Sequence, residues 1–375
     1  MQEIKKRRIV LASVLKPVDD SRMFEKMAAS LHQEGYQDVH IIGFPSTTST
    51  KNTPGITIHP LPYFHRISIT RIFVPWMILF QTIRLRPALF MVTTHELIVA
   101  GCLAKIFLRC SIVYDIQENY FRNIRYTNAF PGGLRYLVAL WVRLKEKLLT
   151  PFFDSLIIAE KCYQHELDFL NDTAVVIENK CVVPRDFIRK PVEGITTLLF
   201  SGTLAESTGV FEAILLAKVL HTIDPSIQLH IVGHCPMRST WKKITSVLKS
   251  HPYIHVTGGN ALLPHHRIME AIESADFGII YYPPAPHNDL RIPTKLFEYL
   301  ACGLPVLLQN KRHYTDLAGV VEGAIPISLT TLDGAQIVRE MRSRTFFTKP
   351  TDSFTWDSEV GTWLQCVQNV LYPEK

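Results

Sequence analysis

The sequence predicts an α/β protein with two doubly wound domains, each built on a parallel sheet. Its 375 residues are too many for one hydrophobic core and suit two domains of roughly 150 to 190 residues. Hydrophobic residues make up 47% and charged residues 20%, which is typical of a folded chain. In both halves, short apolar runs typical of buried strands alternate with longer segments typical of helices. This alternation predicts repeated strand–helix–strand units and therefore parallel sheets.

The chain begins with one such unit. A strand is predicted over residues 8–14, a helix over 21–34 and a second strand over 38–44. The loop before the helix contains no glycine, which argues against the glycine-rich dinucleotide site of dehydrogenases. Asp20 and Arg22 follow the carboxyl end of the first strand, where open α/β sheets bind ligands. We interpret them as ligand-binding residues, with helix capping and surface charge as the alternative.

Two further buried strands are predicted over residues 89–93 and 112–115, and each runs into polar side chains. The polar residues that follow them are Thr94, His95 and Glu96 after the first strand, and Gln117, Glu118 and Asn119 after the second. Because the carboxyl ends of parallel strands meet at one edge of a sheet, these groups are candidates for a site.

Basic charge is concentrated in the first half of the chain. Residues 1–185 contain 23 Lys and Arg against 16 Asp and Glu, a formal charge of +7, whereas the remaining residues carry −1. Two stretches, 63–90 and 134–153, combine large apolar residues with arginine and lysine, including Arg66. Helices of this composition can lie in the interface of an anionic membrane, and core helices with solvated arginines are the alternative.

The second half repeats the pattern after a proline-containing linker at residues 180–194. Strands are predicted over 198–200, 227–232 and 275–282, each followed by a short loop. The first loop contains Gly202, Thr203 and Thr208, and the second contains Gly233 and His234. Such loops can bind a ligand through backbone groups at the sheet edge.

The most informative stretch, NDLRIPTKLFEYLACGLPVLLQN, covers residues 288–310. It predicts a short helix ended by Gly303 and Pro305, and then a buried strand. Lys295 and Glu298 share one helix face, and Arg291 precedes the first turn. Two cations at a helix N-terminus suit a diphosphate, and a carboxylate can accept hydrogen bonds from ribose hydroxyls. A solvated Lys–Glu pair on an ordinary amphipathic helix is the alternative.

The run Arg-x-Pro-x-Lys-Leu-Phe-Glu-Tyr-Leu-Ala-x-Gly-Leu-Pro-Val resembles the nucleotide-sugar signature of retaining GT-B glycosyltransferases of the family 4 type. The resemblance covers about residues 8–370 and implies two Rossmann-like domains that face a central cleft. It implies that Glu298 binds the ribose, that Arg291 and Lys295 bind the diphosphate, and that the glycine-containing loops complete the donor site. That set of loop residues is Gly202, Thr203, Thr208, Gly233 and His234.

Three positions depart from that family's pattern. Gln117 stands where the family usually has a His that faces the reacting sugar, and Thr203 and Thr208 replace its Arg and Lys. Glutamine can hydrogen-bond a hydroxyl but cannot act as a base. Three explanations stay open: the histidine role is dispensable, His95 from the neighbouring strand end supplies it, or the protein has lost activity. We therefore expect Gln117 and Glu118, with His95 from the neighbouring strand end, at the reaction centre. From their positions at the strand ends we expect Asp20, Arg22 and Asn119 on the acceptor.

By this resemblance residues 1–185 form an acceptor-binding domain and 186–352 a nucleotide-sugar-binding domain. Residues 353–375 carry apolar side chains at helical spacing, which predicts a terminal helix. In the family such a helix crosses back onto the first domain, and an ordinary amphipathic helix is the alternative.

Several classes of protein and site are disfavoured by the sequence. Seven scattered cysteines without a CxxC pair favour a reduced, cytoplasmic chain and argue against a zinc site. Nucleic-acid-binding signatures are absent. Because no Asp-x-Asp occurs, we expect no metal and no cofactor apart from the nucleotide-sugar co-substrate.

The expected function is therefore metal-independent transfer of a hexose, with retention, from a nucleotide-sugar to a glycan or lipid-linked acceptor in cell-surface polysaccharide or glycoconjugate assembly. The protein is expected in the cytoplasm, either free or peripheral on the cytoplasmic membrane face. Two alternatives stay open. One is a nucleotide-sugar epimerase or hydrolase of the same architecture, and the other is a non-catalytic partner of an assembly complex.

Overall fold

A computed structural model describes residues 7–46, 54–65, 68–127, 132–171 and 174–373 of the chain. Arg66, predicted above as part of a basic stretch, lies outside the described residues. The chain divides into two compact units: unit 1 comprises Met1–Asn179 with Glu359–Lys375, and unit 2 comprises Lys180–Ser358. Each unit contains one parallel sheet with helices between its strands, so the predicted α/β class is confirmed. The roles that the sequence predicts for the two domains stay predictions.

The sheet of unit 1 has seven parallel strands in the order β3-β2-β1-β4-β5-β6-β7. The strands are β1 (Ile9–Pro17), β2 (Val39–Phe44), β3 (Ile56–Pro60), β4 (Leu89–Val92), β5 (Ser111–Ile116), β6 (Ser155–Ile158) and β7 (Ala174–Val176). The order reverses between β1 and β4, which leaves a crevice at the carboxyl ends of these two strands.

The helices of unit 1 connect successive strands. They are α1 (Ala29–Gln33), α2 (Thr70–Leu85), α3 (Ile98–Leu108), α4 (Tyr120–Tyr126), α5 (Gly132–Leu149) and α6 (Tyr163–Glu166). Residues Ser21–Ala28, which lead into α1, form a π-helix. The helix predicted over 21–34 is therefore confirmed in extent, and its first turns are π-helical rather than α-helical. Asp20 starts this segment by accepting hydrogen bonds from the backbone N–H groups of Arg22 and Met23. Two basic side chains of this π-helical segment, Arg22 and Lys26, are buried against the sheet.

Unit 2 repeats the strand order of unit 1 without a seventh strand among the described residues. Its sheet has six parallel strands in the order β10-β9-β8-β11-β12-β13. The strands are β8 (Thr196–Thr203), β9 (Ile227–His234), β10 (Ile254–Gly259), β11 (Phe277–Ile280), β12 (Val306–Gln309) and β13 (Ala324–Ile327). The helices are α7 (Val210–Ile223), α8 (Arg238–Ser250), α9 (His265–Ser274), α10 (Thr294–Ala301), α11 (Arg312–Gly319), α12 (Gly334–Ser343) and the first residues of α13 (Asp357–Leu371). The order reverses between β8 and β11.

Alternate strand residues pack into a core on each face of each sheet. In unit 1, Val10, Phe90, Tyr114 and Leu156 point to the face covered by α2 and α3. In unit 2, Leu198, Phe200 and Leu229 face α7, whereas Leu199, Ile280 and Leu308 face α10. This two-sided burial explains why the strands appear in the sequence as continuous apolar runs.

The terminal helix belongs to unit 1 from Glu359 onward. Trp363 is fully buried, and its indole N–H donates to the carbonyl of Met27 at 3.1 Å. The hydroxyl of Ser111 donates to the carbonyl of Val370, which fixes the end of the helix beside β5. Among the described residues, no helix combines the length and the apolar character needed to cross a membrane.

Candidate functional site

In unit 2 the polar candidates gather where the strand order reverses. β8 and β9 pair in register to their last residues, Thr203 with His234 and Gly202 with Gly233. A Cβ atom on Gly233 would lie 1.7 Å from the carbonyl oxygen of Gly202. Only glycine allows the two strand ends to come this close. The surface at the carboxyl ends of β8 and β9 is therefore formed by backbone groups rather than by side chains.

The loop after β8 is closed by the hydroxyl of Thr208. This hydroxyl donates its one proton to the carbonyl oxygen of Thr203 at 2.6 Å, with that of Ala205 also within reach at 2.9 Å, and it accepts from the Ala205 N–H. Gly209 follows with φ 87°, and a Cβ there would lie 1.6 Å from the carbonyl oxygen of Tyr281. The loop is thereby held against the end of β11, and the hydroxyl of Thr208 acts within the loop.

Lys295 lies in the first turn of α10, as the sequence predicted, and it is buried. Its ammonium lies over the rings of Phe200 and Tyr282, 3.8 and 5.0 Å from their centroids. Burial lowers the pKa of Lys295 to about 7, and Glu298 opposes that shift only in part. Across the described ranges no carboxylate forms an ion pair with this ammonium. A buried cation that lacks a carboxylate partner is suited to an incoming anion.

Glu298 lies one turn further along α10 and is held by His265. The Nε2 atom of His265, at the start of α9, is 2.9 Å from Oε1 of Glu298. The sequence analysis did not single out His265. Its only signal in the sequence is the His-His pair after Pro264, which does not indicate a partner on another helix.

Arg291 belongs to the loop between β11 and α10. It is close enough to His287 to help lower the pKa of that imidazole, although burial is the larger cause. In the same loop, the carboxylate of Asp289 pairs with Lys311 at 3.2 Å. The Tyr282 N–H donates to the Gln309 side chain at the end of β12. These contacts tie both ends of the loop to the edge where Lys295 lies.

In unit 1 the predicted residues fall into two networks. The first is centred on Asp115 in β5. Arg22, 1% exposed, donates to both carboxylate oxygens of Asp115 at 2.8 and 2.9 Å, and also to the carbonyl of Ile177. The Gln117 amide donates to Asp115 at 2.6 Å, and the Gln117 carbonyl oxygen accepts from Lys16 at the end of β1. The guanidinium of Arg22 therefore joins three segments of the fold, and its role toward an acceptor stays a prediction.

The second network surrounds His95 at the end of β4. Lys145 of α5 lies 3.2 Å from Nδ1 of His95, and Nε2 is 3.6 Å from Glu96. Burial is the main cause that lowers the pKa of His95 to about 4, and Lys145 and Arg71 contribute. Arg71 pairs with Glu96. Burial alone would raise the pKa of Glu96, but His95 and Arg71 together lower it. His95 is therefore neutral at neutral pH and can accept a proton only at acidic pH.

Glu118, Asn119 and Asp20 lie at the same edge of the sheet. The Glu118 carboxylate accepts from Asn123, and Asn119 caps α4 while its amide donates to Glu166. Asp20 caps the π-helical segment and lies 3.6 Å from Lys16. Each of these residues has a structural partner, which is the alternative weighed for Asp20 above.

The structure thus brings the predicted donor residues together in unit 2 and the predicted catalytic and acceptor residues together at one edge of unit 1. None of the binding or catalytic roles is tested by these contacts. Within the part of the chain that the structure describes, no group of three or more His, Cys, Asp or Glu side chains could hold a metal ion.

No protein-family model matches the chain, and no curated protein matches it in sequence. Solved structures do match. Sucrose-phosphate synthase from Thermosynechococcus elongatus is 15% identical, with a TM-score of 0.72, over 98% of this chain and 100% of that one. The Anabaena protein HepE, solved with UDP and glucose, is 14% identical with a TM-score of 0.63, over 98% and 100%.

The chain has the GT-B fold. A Listeria monocytogenes protein assigned as a UDP-N-acetylglucosamine 2-epimerase also shares it, with 12% identity and a TM-score of 0.61 over 98% of both chains. Because transferases and an epimerase have the same GT-B architecture, the reaction of this chain has to be argued from its site. The family 4 type within GT-B stays a prediction.

Proposed function

We propose that the protein is a glycosyltransferase that takes a hexose from a nucleotide-sugar bound in unit 2. The observation that carries this proposal is the buried ammonium of Lys295, with its pKa lowered to about 7, in the first turn of α10. A diphosphate placed there would supply the negative charge that this cation lacks and would meet the N–H groups of the helix terminus. Arg291 in the preceding loop would share the charge.

Glu298 would accept hydrogen bonds from the ribose hydroxyls. Its carboxylate is already oriented by His265, so little side-chain freedom is lost when a ribose binds. Gly202 and Thr203 on β8, with Gly233 and His234 on β9, would then border the sugar diphosphate with backbone groups. Thr208 would act indirectly by fixing the loop.

Departure of the nucleoside diphosphate needs stabilisation of the charge that develops on it. Arg291, Lys295 and the N-terminus of α10 would supply that stabilisation without a metal. We propose a metal-independent, retaining transfer on this basis, with His95, Gln117 and Glu118 of unit 1 at the reacting sugar. Since burial keeps His95 neutral, it would act as a hydrogen-bonding group rather than as a cation.

The acceptor is proposed to be a glycan or a lipid-linked glycan that contacts Asp20, Arg22 and Asn119, as in assembly of cell-surface polysaccharide or glycoconjugates. The reaction would take place in the cytoplasm, at the membrane face when the acceptor is lipid-linked.

A non-catalytic role is the second candidate, and one observation favours it. Gln117 stands at the position of the family's histidine, and both ends of its amide are engaged, by Asp115 and by Lys16. A group so restrained is less able to turn toward a substrate than an unbonded one.

Turnover of nucleotide-sugars distinguishes these functions. The protein is incubated with UDP-, GDP- and ADP-sugars, with and without lipid and glycan acceptors. Release of nucleoside diphosphate and conversion of the donor to another nucleotide-sugar are both measured. Release that requires an acceptor, and that Lys295→Gln slows, supports the transferase. Acceptor-independent conversion of the donor would indicate an epimerase or hydrolase. Donor binding without any turnover would favour the non-catalytic role.

A further inference from the structure

We propose that the outer surface of helices α2, α3 and α5 docks onto an anionic lipid bilayer. This inference deepens the membrane location given in the proposed function by naming the surface and the lipid charge, and it does not depend on the donor site in unit 2. The surface, called the apolar face below, is represented by Phe73, Trp76, Phe80, Phe107, Leu137 and Trp141. α2 packs against α3, and α3 packs against α5, so the three helices are neighbours over one side of the unit 1 sheet.

The apolar face exposes several large apolar side chains. Trp76 on α2 is 53% exposed, Phe107 on α3 is 66% exposed, and Trp141 on α5 is 63% exposed. All six side chains that represent the apolar face are more than half exposed, and large apolar side chains grouped on neighbouring helices in this way are typical of an interaction surface. We therefore expect a binding partner to bury this surface.

The inner faces of the same helices already have their own partners. On α2, Val74 and Ile78 pack into the core beneath the sheet, while Phe73, Trp76 and Phe80 point the other way at helical spacing. On α5, Ala139 and Val142 are buried while Leu137 and Trp141 are exposed. The three helices are thus apolar on both sides, which the burial of one side in the core does not explain.

Every exposed charged side chain on the three helices is basic. α2 and α3 contain no acidic residue, and the one acid of α5, Glu146, is 1% exposed and accepts a hydrogen bond from Tyr114. Lys105 and Lys147 are compensated by Asp154 and Asp168.

Three exposed arginines on this side of unit 1 can bind an external anion. Arg84, Arg86 and Arg109 are exposed at the ends of α2 and α3, and no carboxylate in the described ranges pairs with them. The guanidinium of Arg84 lies over the ring of Phe80, 4.2 Å from its centroid. Because both helices run antiparallel to the strands they connect, their C-terminal ends lie along the same edge of the sheet. Arginines next to aromatic side chains are the arrangement that binds lipid phosphates above an apolar layer.

A second copy of the chain fits this face less well. A two-fold dimer brings the same surface of both copies together, so it would place the arginines of one copy near those of the other without an exposed acid on these helices to compensate them. An anionic bilayer satisfies both the apolar area and the positive charge.

Vesicle sedimentation of the full chain, without nucleotide, tests the proposal. Vesicles of phosphatidylcholine alone are compared with vesicles of equal parts phosphatidylcholine and phosphatidylglycerol. We expect strong binding to the anionic vesicles only, weakened by salt. The double variant Trp76→Ser/Trp141→Ser should lower the partition coefficient by about tenfold or more, and Arg84→Glu/Arg86→Glu should remove the preference for phosphatidylglycerol.

Matched controls come from unit 2, where Ile188 and Val320 are also exposed. Ile188→Ser/Val320→Ser should bind vesicles as the wild type does. Thermal unfolding of each variant shows that it is folded, and the arginine variant still tests the proposal if the tryptophan variant is unstable.

The proposal is overturned if the wild type stays in the supernatant with both vesicle types, or if the unit 2 variant loses as much binding. It is also overturned if the wild type is a dimer that Trp76→Ser/Trp141→Ser dissociates. Because nucleotide is absent throughout, failure here leaves the proposed donor site untouched.

Discussion

The ammonium of Lys295 lies over two aromatic rings and away from solvent, and its pKa is lowered to about 7. Because the ordinary pKa of lysine is 10.5, the unfolded chain binds more protons than the folded chain between these values. Burial of this lysine therefore lowers the stability of the ligand-free protein at pH 7 and below, and that loss is relieved as pH rises above 7. Retaining a cation at this cost is more typical of a binding site than of a core position.

The same pKa makes donor binding depend on pH. The diphosphate should bind the protonated lysine better and raise its pKa, so binding takes up a proton above about pH 7. We expect donor affinity to fall about tenfold between about pH 6 and about pH 8 in the wild type. In Lys295→Met affinity should be weaker and nearly independent of pH. Calorimetry with an intact nucleotide-sugar measures this directly, because its diphosphate does not titrate in the range. A wild-type affinity that is flat with pH would contradict the role given to Lys295.

His265 is a positioning residue for Glu298 and offers a second test. Removing its hydrogen bond in His265→Ala should let the carboxylate change rotamer and weaken donor binding about three- to tenfold, equivalent to roughly 1 kcal/mol. The neighbouring exposed His266 is the matched control, and His266→Ala should bind normally. Equal affinities of the two variants in a nucleotide titration would remove His265 from the site.

At the scale of elements, the edge of the unit 2 sheet depends on the close approach of β8 and β9. Gly233→Ala would place a methyl group 1.7 Å from the Gly202 carbonyl oxygen, so the strand ends would have to separate. We expect a loss of about 3 kcal/mol or more in the free energy of unfolding, together with weaker donor binding. Gly319→Ala is the control, because a Cβ there meets nothing within 4 Å and alanine suits a helix, so the change should be within about 1 kcal/mol. Urea unfolding of both variants decides the question, and an unchanged midpoint for Gly233→Ala would contradict this account.

The sequence predicted the elements that are apolar, long or sharply bounded. The strands over 8–14, 38–44, 112–115 and 198–200 are confirmed, as is the helix–strand unit that holds Lys295 and Glu298. The predicted site residues also fall at the strand ends, because the chain order fixes where parallel strands terminate.

Other features could not be seen in the sequence, for physical reasons. β3 and β10 lie at sheet edges and contain polar side chains, so no continuous apolar run marks them. β7 is apolar but only three residues long, which is too short to stand out as a strand. The π-helical turns after Asp20 depend on the burial of Arg22 against Asp115, a contact 93 residues away in the chain. The partners of Glu298 and Gln117 are likewise distant in sequence, and local patterns do not reveal such pairs.

At the scale of the whole molecule, the two units differ in charge and surface although they share the order of six strands. The first half of the sequence carries the positive charge and, on α2, α3 and α5, the apolar face, whereas the second half is nearly neutral. Unit 1 therefore combines a polar edge of its sheet with an apolar face on its helices that suits a membrane. Unit 2 contains a buried cation that suits a phosphate. This division matches the donor and acceptor roles that we propose for the two units.

Thermal stabilisation by nucleotide-sugars tests the central claim most directly. The wild type and Glu298→Ala are each melted with UDP-, GDP- and ADP-sugars at saturating concentration. A ligand at 100 times its dissociation constant adds about 2.7 kcal/mol to the free energy of unfolding, which is readily measured. The account predicts that one nucleotide class stabilises the wild type and that Glu298→Ala loses most of the shift. No stabilisation by any donor, or an equal shift in Glu298→Ala, would contradict a nucleotide-sugar site at α10.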